Sequence, residues 1–357
     1  MFLDTALKIL LGIGLLFGGG ELFIQGAVGF ALIFSIPQLV IGLTVVSLGT
    51  SAPELFVSIT SVLNNSDSLA INNVVGSNIF NVMVVLGSSA LVMPLRVESR
   101  LVRRDVPVLL AVSTAVWGMS SAGRITWQAG LALLLSLVIN TIWEIRTARE
   151  EYKETESVEP KALPRKWQWI FLQLLSGSFL LIIGSRILVE GAVMAASLLG
   201  VSEAVIGLTI VSAGTSIPEL VASLIATLRN RTDLAIGNVV GSNLLNQLLV
   251  LGSTAVVSGK AGVNVESVLI NRDLPIMVIT TLACMPIFWT RGSISRLEGG
   301  FLVGLYIFYL VDQVLPYMLP TWQDKFRIVL LCLVLPAVIV AIIAQSISYW
   351  QYLRRQS

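Results

Sequence analysis

Histidine is absent from the 357 residues, and only two cysteines are present. Without histidine there is no Ser-His-Asp triad, no Cys-His dyad and no His-ligated zinc or iron. Cys284 and Cys332 lie far apart in apolar runs and read as packed thiols rather than a bridge or a redox pair. Charge is scarce too: Asp, Glu, Lys and Arg make up 12% of the chain, about half the share of a soluble domain. A net charge of +2, with no basic cluster interleaved with aromatics, excludes a nucleic-acid surface. What abounds is apolar: 55% hydrophobic residues and a mean hydropathy of +0.86. The chain reads as a multi-pass membrane protein whose polar chemistry rests on carboxylates, hydroxyls, amides and backbone carbonyls.

A helix needs about 20 apolar residues to cross a bilayer. On that measure eleven spans are expected, at 6–30, 38–63, 69–94, 106–122, 126–144, 167–198, 204–228, 234–257, 273–289, 298–316 and 327–349. The charged stretch from Glu144 to Trp167 reads as a solvated linker. The first span lacks the charged start and cleavage site of a signal peptide. With the N-terminus outside, 16 Lys/Arg fall in inside loops and five in outside ones, so the tail and linker are expected in the cytoplasm.

The chain repeats itself. IGLTVVSLGTSAPELFVS from Ile41 returns as IGLTIVSAGTSIPELVAS from Ile206, and LAINNVVGSNIFN from Leu69 as LAIGNVVGSNLLN from Leu234. At an offset of 165, 26 of the 42 positions from Val40 to Asn81 are identical. Arg104-Asp105-Val106-Pro107 and Arg272-Asp273-Leu274-Pro275 extend the match. The unit holds five helices, and an odd number of crossings forces the second copy to enter from the opposite side. Expected is an all-α integral membrane protein of two inverted five-helix repeats, 1–145 and 167–316. A linker at 146–166 joins them, and 317–357 adds a C-terminal transmembrane helix and a short tail.

Polar residues gather where the repeat is strongest. Pro53 and Pro218 interrupt their helices and are expected to free the carbonyls around Gly49 and Gly214, which need partners in lipid. Glu54 and Glu219 are mid-span carboxylates, each costing at least a few kcal/mol unless partnered or functional. Thr50, Ser47 and Ser51 share the broad face of Glu54, and Ser212, Thr215 and Ser216 repeat it beside Glu219. Asn73, Ser77 and Asn81 form a stripe spaced by four, as do Asn238, Ser242 and Asn246. Gly76 and Gly241 are expected to allow close backbone approach, Asn78 and Asn243 to bond backbone, and Asp105 and Asp273 to open helices. Structural or interfacial roles suit Glu21, Glu190 and Arg186. The donor set is hard oxygen, suited to Ca²⁺ or Na⁺ and not to soft metals.

At these motifs the sequence resembles the cation/calcium exchanger superfamily, specifically its sodium/calcium exchanger branch. That family carries G-T-S-x-P-E and G-S-N-x-x-N once in each repeat, and both occur twice here. The resemblance implies that Glu54 and Glu219 bind Ca²⁺ with the Thr50 and Thr215 carbonyls. It assigns Ser51, Ser77, Ser216 and Ser242, with the Ser47 and Ser212 carbonyls, to flanking Na⁺ sites, and lines the centre with Asn81 and Asn246. Some relatives, potassium-dependent ones among them, carry Asp at one of these two Asn positions, so Asn at both argues against K⁺ co-transport. Gln247, opposite Val82 in the first half, has no assigned role.

The expected function is a secondary antiporter, not an enzyme, that exchanges Na⁺ for Ca²⁺ by alternating access and expels Ca²⁺. Its expected home is a prokaryotic inner (plasma) membrane. The rivals are an H⁺/Ca²⁺ antiporter, a passive cation channel, which an inverted repeat with broken helices disfavours, and a transport-inactive sensor. Ca²⁺ and Na⁺ are substrates; no cofactor, nucleic acid or protein partner is implied.

Overall fold

The computed structural model describes residues 2–34, 36–154, 167–289 and 292–329, with the single residues 332, 336 and 340. Its helices are α1 (Phe2–Phe34), α2 (Gln38–Thr50), α3 (Ala52–Leu63), α4 (Asp67–Val92), α5 (99–120), α6 (Trp127–Glu154) and α7 (Trp167–Leu198). There follow α8 (203–214), α9 (Ile217–Leu228), α10 (Thr232–Val257), α11 (267–289), α12 (Arg296–Met318) and the short α13 (Gln323–Val329). Ten expected spans fall on these helices, two of them broken. Among the described residues six helices are each long and apolar enough to cross a membrane, and the α2/α3 pair, bent by 46°, makes a seventh. Helix α5 misses that measure because Arg103, Arg104 and Asp105 lie inside it. The eleventh span lies outside the described residues apart from α13 and three isolated positions.

The break between α2 and α3 follows from sequence. Pro53 cannot continue a helix but suits its first turn, so α3 restarts at Ala52 with Ser51 at its N-cap. Pro218 restarts α9 behind Ser216 in the same way. The freed carbonyl at Gly214 is not left open, because Ser185 Oγ donates to it at 2.6 Å. Each half also winds into π-helix at matching places: Gly42–Val46 and Gly207–Val211, Asn81–Leu86 and Asn246–Leu251, Leu101–Asp105 and Leu269–Asp273. Such bulges concentrate at functional sites.

Helices α1 and α7, of 33 and 32 residues, are about 50 Å long against a hydrocarbon core of about 30 Å. They pack on each other through glycines spaced by seven. Gly12, Gly19 and Gly26 face α7, and Gly177, Gly184 and Gly191 face α1. A Cβ on Gly19 would stand 2.7 Å from Leu180 Cβ, and one on Gly177 2.6 Å from the Phe23 nitrogen, so only glycine permits this approach.

Two short clasps tie the repeats together. β1 (Leu95–Arg96) pairs antiparallel with β4 (Ser293–Ile294), and β2 (Arg124–Ile125) with β3 (Val263–Asn264). Each clasp joins one half to the other. The buried core runs through α4 and α10, with Ile71, Val74, Ile79, Val240, Leu248 and Leu251 among its residues.

Several expectations change. Glu144 does not open a solvated linker: α6 continues to Glu154, and Glu144 is 3% exposed. It is held by Arg100 Nη2 at 2.5 Å and Arg104 Nη2 at 3.0 Å. Asp105 and Asp273 do not open helices either. Each is the last residue of a π-segment within a continuing helix and meets arginine: Asp105 faces Arg100 and Arg104 at 3.9 Å, and Asp273 takes Arg272 at 2.9 and 3.0 Å. Glu190 pairs with Lys8 at 3.1 Å and Glu21 with Arg229 at 2.7 Å, the structural roles expected of these acids.

Candidate functional site

The two halves meet at Glu54 and Glu219, both with no solvent exposure. Each stands in the first turn of the helix that restarts after its proline. The serine three residues before each glutamate reaches across to the other half. Ser51 Oγ donates to Glu219 Oε1 at 3.0 Å, and Ser216 Oγ donates to Glu54 Oε1 at 3.1 Å. The helix breaks make this possible, since Ser51 and Ser216 sit at N-caps rather than inside a helix.

A second crossed pair surrounds the first. Thr50 Oγ1 donates to Asn238 Oδ1 and Thr215 Oγ1 to Asn73 Oδ1, both at 3.1 Å. The same asparagines hold the glutamate backbone: Asn73 Nδ2 donates to Glu54 O and Asn238 Nδ2 to Glu219 O, both at 3.2 Å. Their amides also reach Ser58 Oγ at 3.0 Å and Ser223 Oγ at 2.9 Å. Neither serine was singled out by sequence, although both follow their glutamates by four.

A third crossed pair sits at the starts of the π-segments. Asn81 Nδ2 donates to Asn243 Oδ1 at 3.1 Å, and Asn246 Nδ2 to Asn78 Oδ1 at 3.2 Å. Asn78 and Asn243 therefore orient the two central amides. Asn243 also meets the expected backbone partner, donating to Asn78 O at 3.2 Å, whereas Asn78 donates to Met277 Sδ at 3.5 Å instead.

Each of the site's asparagine amides has an acceptor, and oxygens are left over. Glu54 Oε2, Glu219 Oε2, Asn81 Oδ1, Asn246 Oδ1 and Ser77 Oγ are buried without a hydrogen-bond partner. Unpartnered buried oxygens cost roughly 1–3 kcal/mol each, more when charged. These five, two of them on carboxylates, are acceptors that a cation would satisfy and a water could not neutralise. Among the described residues no third Asp, Glu, Cys or His joins them, so the set suits a hard cation completed by neutral oxygens.

Of the other expected residues, Ser242 Oγ lies 3.5 Å from Thr50 Oγ1, and Ser47 Oγ donates to Gly42 O at 2.6 Å and Asn238 O at 3.1 Å. The Ser47 carbonyl accepts Ser51 N at 2.9 Å. Ser212 lies in α8, but its side chain is outside the described residues. Gly241 meets the expectation of close approach, since a Cβ there would fall 2.5 Å from Leu43 O. Gly76 does not: nothing lies within 4 Å of its Cβ position.

Fold and site together define a multi-pass membrane protein with a buried, two-carboxylate centre shared by two inverted halves. A family model described as sodium/calcium exchanger protein matches residues 5–146 and 169–315. The chain belongs to the sodium/calcium exchanger family, a family of transporters rather than enzymes. It is 31% identical to the inner membrane protein YrbG of Escherichia coli, over 88% of this chain and 99% of that one. It is 28% identical to the sodium/calcium exchanger MaX1 of Methanosarcina acetivorans, over 85% and 97%. The sodium-calcium exchanger NCX_Mj, solved after soaking in 10 mM Na⁺ without Ca²⁺, superposes with a TM-score of 0.74 at 29% identity, covering 86% of this chain and 98% of that one.

Proposed function

We propose that this protein is a secondary antiporter that moves Ca²⁺ out of the cell against an inward flow of Na⁺. The observation that carries the reading is the set of unpartnered oxygens around Glu54 and Glu219. Two carboxylates balance one Ca²⁺ or two Na⁺, so the same groups serve the two ions in turn, as antiport requires. In this reading Glu54 and Glu219 hold Ca²⁺ with the Thr50 and Thr215 carbonyls. Ser51, Ser77, Ser216 and Ser242, with the Ser47 and Ser212 carbonyls, serve Na⁺, and Asn81 and Asn246 line the centre.

The two sides of the site differ, which supports alternating access. Thr50 and Asn238 are 1% exposed, while their counterparts Thr215 and Asn73 are only part-buried. The charge bias of the loops puts the Asn73 side outside, so ions enter there from the exterior. The N-terminus is external and the linker cytoplasmic, in a prokaryotic inner membrane. The functional units are 1–145 and 167–316, joined by 146–166 and followed by 317–357.

The test is Ca²⁺ flux in proteoliposomes. Flux that requires an opposing Na⁺ gradient is the expected result. Flux driven by a pH gradient instead identifies an H⁺/Ca²⁺ antiporter, and flux needing no counter-ion gradient identifies a channel.

A further inference from the structure

The inner and outer ends of the site are not lined alike, and Asn72 is the difference. On the inner side, in the orientation proposed above, two glycines of α10 lie against α2. A Cβ on Gly237 would stand 2.6 Å from Leu39 O and 3.0 Å from Gly42 Cα, and one on Gly241 2.5 Å from Leu43 O. At the offset of 165 their counterparts on α4 are Asn72 and Gly76, and the counterpart of Gly42 is Gly207. Gly42 and Gly207 each open a π-segment. From Leu69 to Asn78 the two repeats differ at one position only, where the first has Asn72 and the second Gly237.

The outer side stands open. Leu69, Asn72, Asn73 and Gly76 share one face of α4. Leu69 is 55% exposed where its counterpart Leu234 is fully buried, and Asn72 is exposed as well. Nothing lies within 4 Å of the Cβ positions of Gly76 and Gly207. Inverted repeats change sides by trading arrangements between the halves. Outer closure would therefore lay this face of α4 on α8, as Gly237 and Gly241 lie on α2. Gly76 permits that approach. Asn72 does not, because its Cβ would fall where the inner seal has room only for backbone.

We propose that Asn72 sets the balance between the two states of the transporter: the outer side closes around its side chain, not backbone to backbone, so the outer seal is the looser one and the outward-open arrangement is favoured. This rests on the alternating-access reading above. The arrangement of the structure agrees, with Asn73 and Thr215 part-buried on the outer side and Thr50 and Asn238 buried on the inner one. Asn72 is a positioning residue, acting through the fit of α4 on α8. A site that faces outward for more of the time has a lower half-saturation from outside and a higher one from the cytoplasm, in proportion to the competent fraction.

The test uses the full-length protein, without Cys284 and Cys332, in membrane vesicles of known sidedness. A cysteine at Leu39, 1% exposed, reports opening of the inner side, and one at Leu69 reports opening of the outer side. Both are read with an impermeant thiol reagent. Asn72→Gly copies the inner seal. It is expected to raise labelling at Leu39 from the cytoplasmic face about fivefold, as a minor state gains population, and to lower labelling at Leu69 from the outer face. In transport it should raise the external half-saturation for Ca²⁺ and lower the cytoplasmic one. Asn72→Ala keeps a Cβ but sheds the amide, and should move the two labels as Asn72→Gly does, by about twofold. It carries the test alone if Asn72→Gly does not fold. Any other pattern in a folded variant, unchanged labels or both rising together as in a loosened helix, overturns the assignment of Asn72 alone. Reciprocal labelling in a protein whose wild type exchanges no Ca²⁺ for Na⁺ upholds Asn72 as the gate residue and overturns the exchanger reading.

Discussion

Gly42 and Gly237 touch backbone to backbone: a Cβ on either would lie 3.0 Å from the Cα of the other. Gly207, the counterpart of Gly42, differs, with nothing within 4 Å of its Cβ position. The start of α2 is thus sealed against α10, while the Cβ position of Gly207 in α8 has open space around it. In the orientation proposed from loop charge, the sealed side faces the cytoplasm. Gly237→Ala would place a methyl 2.6 Å from Leu39 O, forcing the seal apart. The expected outcome is increased labelling of a cysteine at Leu39, 1% exposed in the sealed state, by an impermeant thiol reagent applied from the cytoplasmic side. The assay needs a background lacking Cys284 and Cys332. Unchanged labelling in a folded variant shows that this contact is not the gate.

The orientation itself is open to a direct check. Ala122 lies in the turn between α5 and α6, expected outside, and Ser99 at the start of α5, expected inside; both are exposed. Cysteines at the two positions should label from opposite faces of the membrane. Labelling from one face contradicts both the topology and the inversion of the repeats.

The duplication made much of this molecule legible before any coordinates. It aligned Glu54 with Glu219 and both with a proline, and that alone pointed to the candidate site. Contacts across the axis were not legible. That Ser51 serves Glu219 rather than its own Glu54 depends on how the halves face each other, which a repeat does not specify. The π-segments have no sequence marker, so the register that leaves Asn81 and Asn246 with free oxygens was hidden. Departures from symmetry misled in the other direction: Gly76 copies Gly241 in sequence but not in contact. Glu144 read as linker because its arginine partners lie about 40 residues away, where hydropathy cannot connect them.

That buried cluster yields a prediction of its own. Val97-Glu98-Ser99 and Val265-Glu266-Ser267 align Arg100 with Val268, and Gly130 with Gly299 aligns Glu144 with Gln313. Arg272, the counterpart of Arg104, indeed donates to Gln313 Oε1 at 2.9 Å. The second half has therefore replaced a buried ion pair by a neutral pair. Glu144→Gln alone leaves Arg100 short of a counter-charge and is expected to cost about 3 kcal/mol. Arg100→Val with Glu144→Gln copies the second half and should recover most of that loss. Thermal unfolding of the two variants in detergent decides it; a double variant no more stable than the single one contradicts the equivalence.

Asn246 bears on potassium. With Asn at both 81 and 246 the site carries two carboxylates, and exchange is expected to be indifferent to K⁺. Asn246→Asp keeps the shape and adds a charge, so it should alter cation selectivity in a protein that still folds. A K⁺ requirement in the wild type would show that the identity of this residue does not govern K⁺ coupling.

In the proposed mechanism the two carboxylates hold the cation. Each glutamate gives one oxygen to the opposite serine and keeps one unpartnered, so a divalent cation between them draws one free carboxylate oxygen from each half. Removing one charge leaves that cation half-neutralised in a low-dielectric site, where Coulomb terms are least screened. Glu54→Gln and Glu219→Gln are therefore each expected to abolish Ca²⁺ exchange. Both should still insert and fold, because an amide is less costly to bury than a carboxylate. Ser51→Ala removes a hydroxyl without a formal charge, frees Glu219 Oε1 from its donor, and should weaken Na⁺ dependence more than Ca²⁺ binding. Na⁺-gradient-driven Ca²⁺ flux, with folding followed separately by size-exclusion profile and thermal unfolding, distinguishes the cases. Wild-type exchange by well-folded Glu54→Gln and Glu219→Gln proteins would mean that the paired acids brace the helix breaks and that the transported ions bind elsewhere.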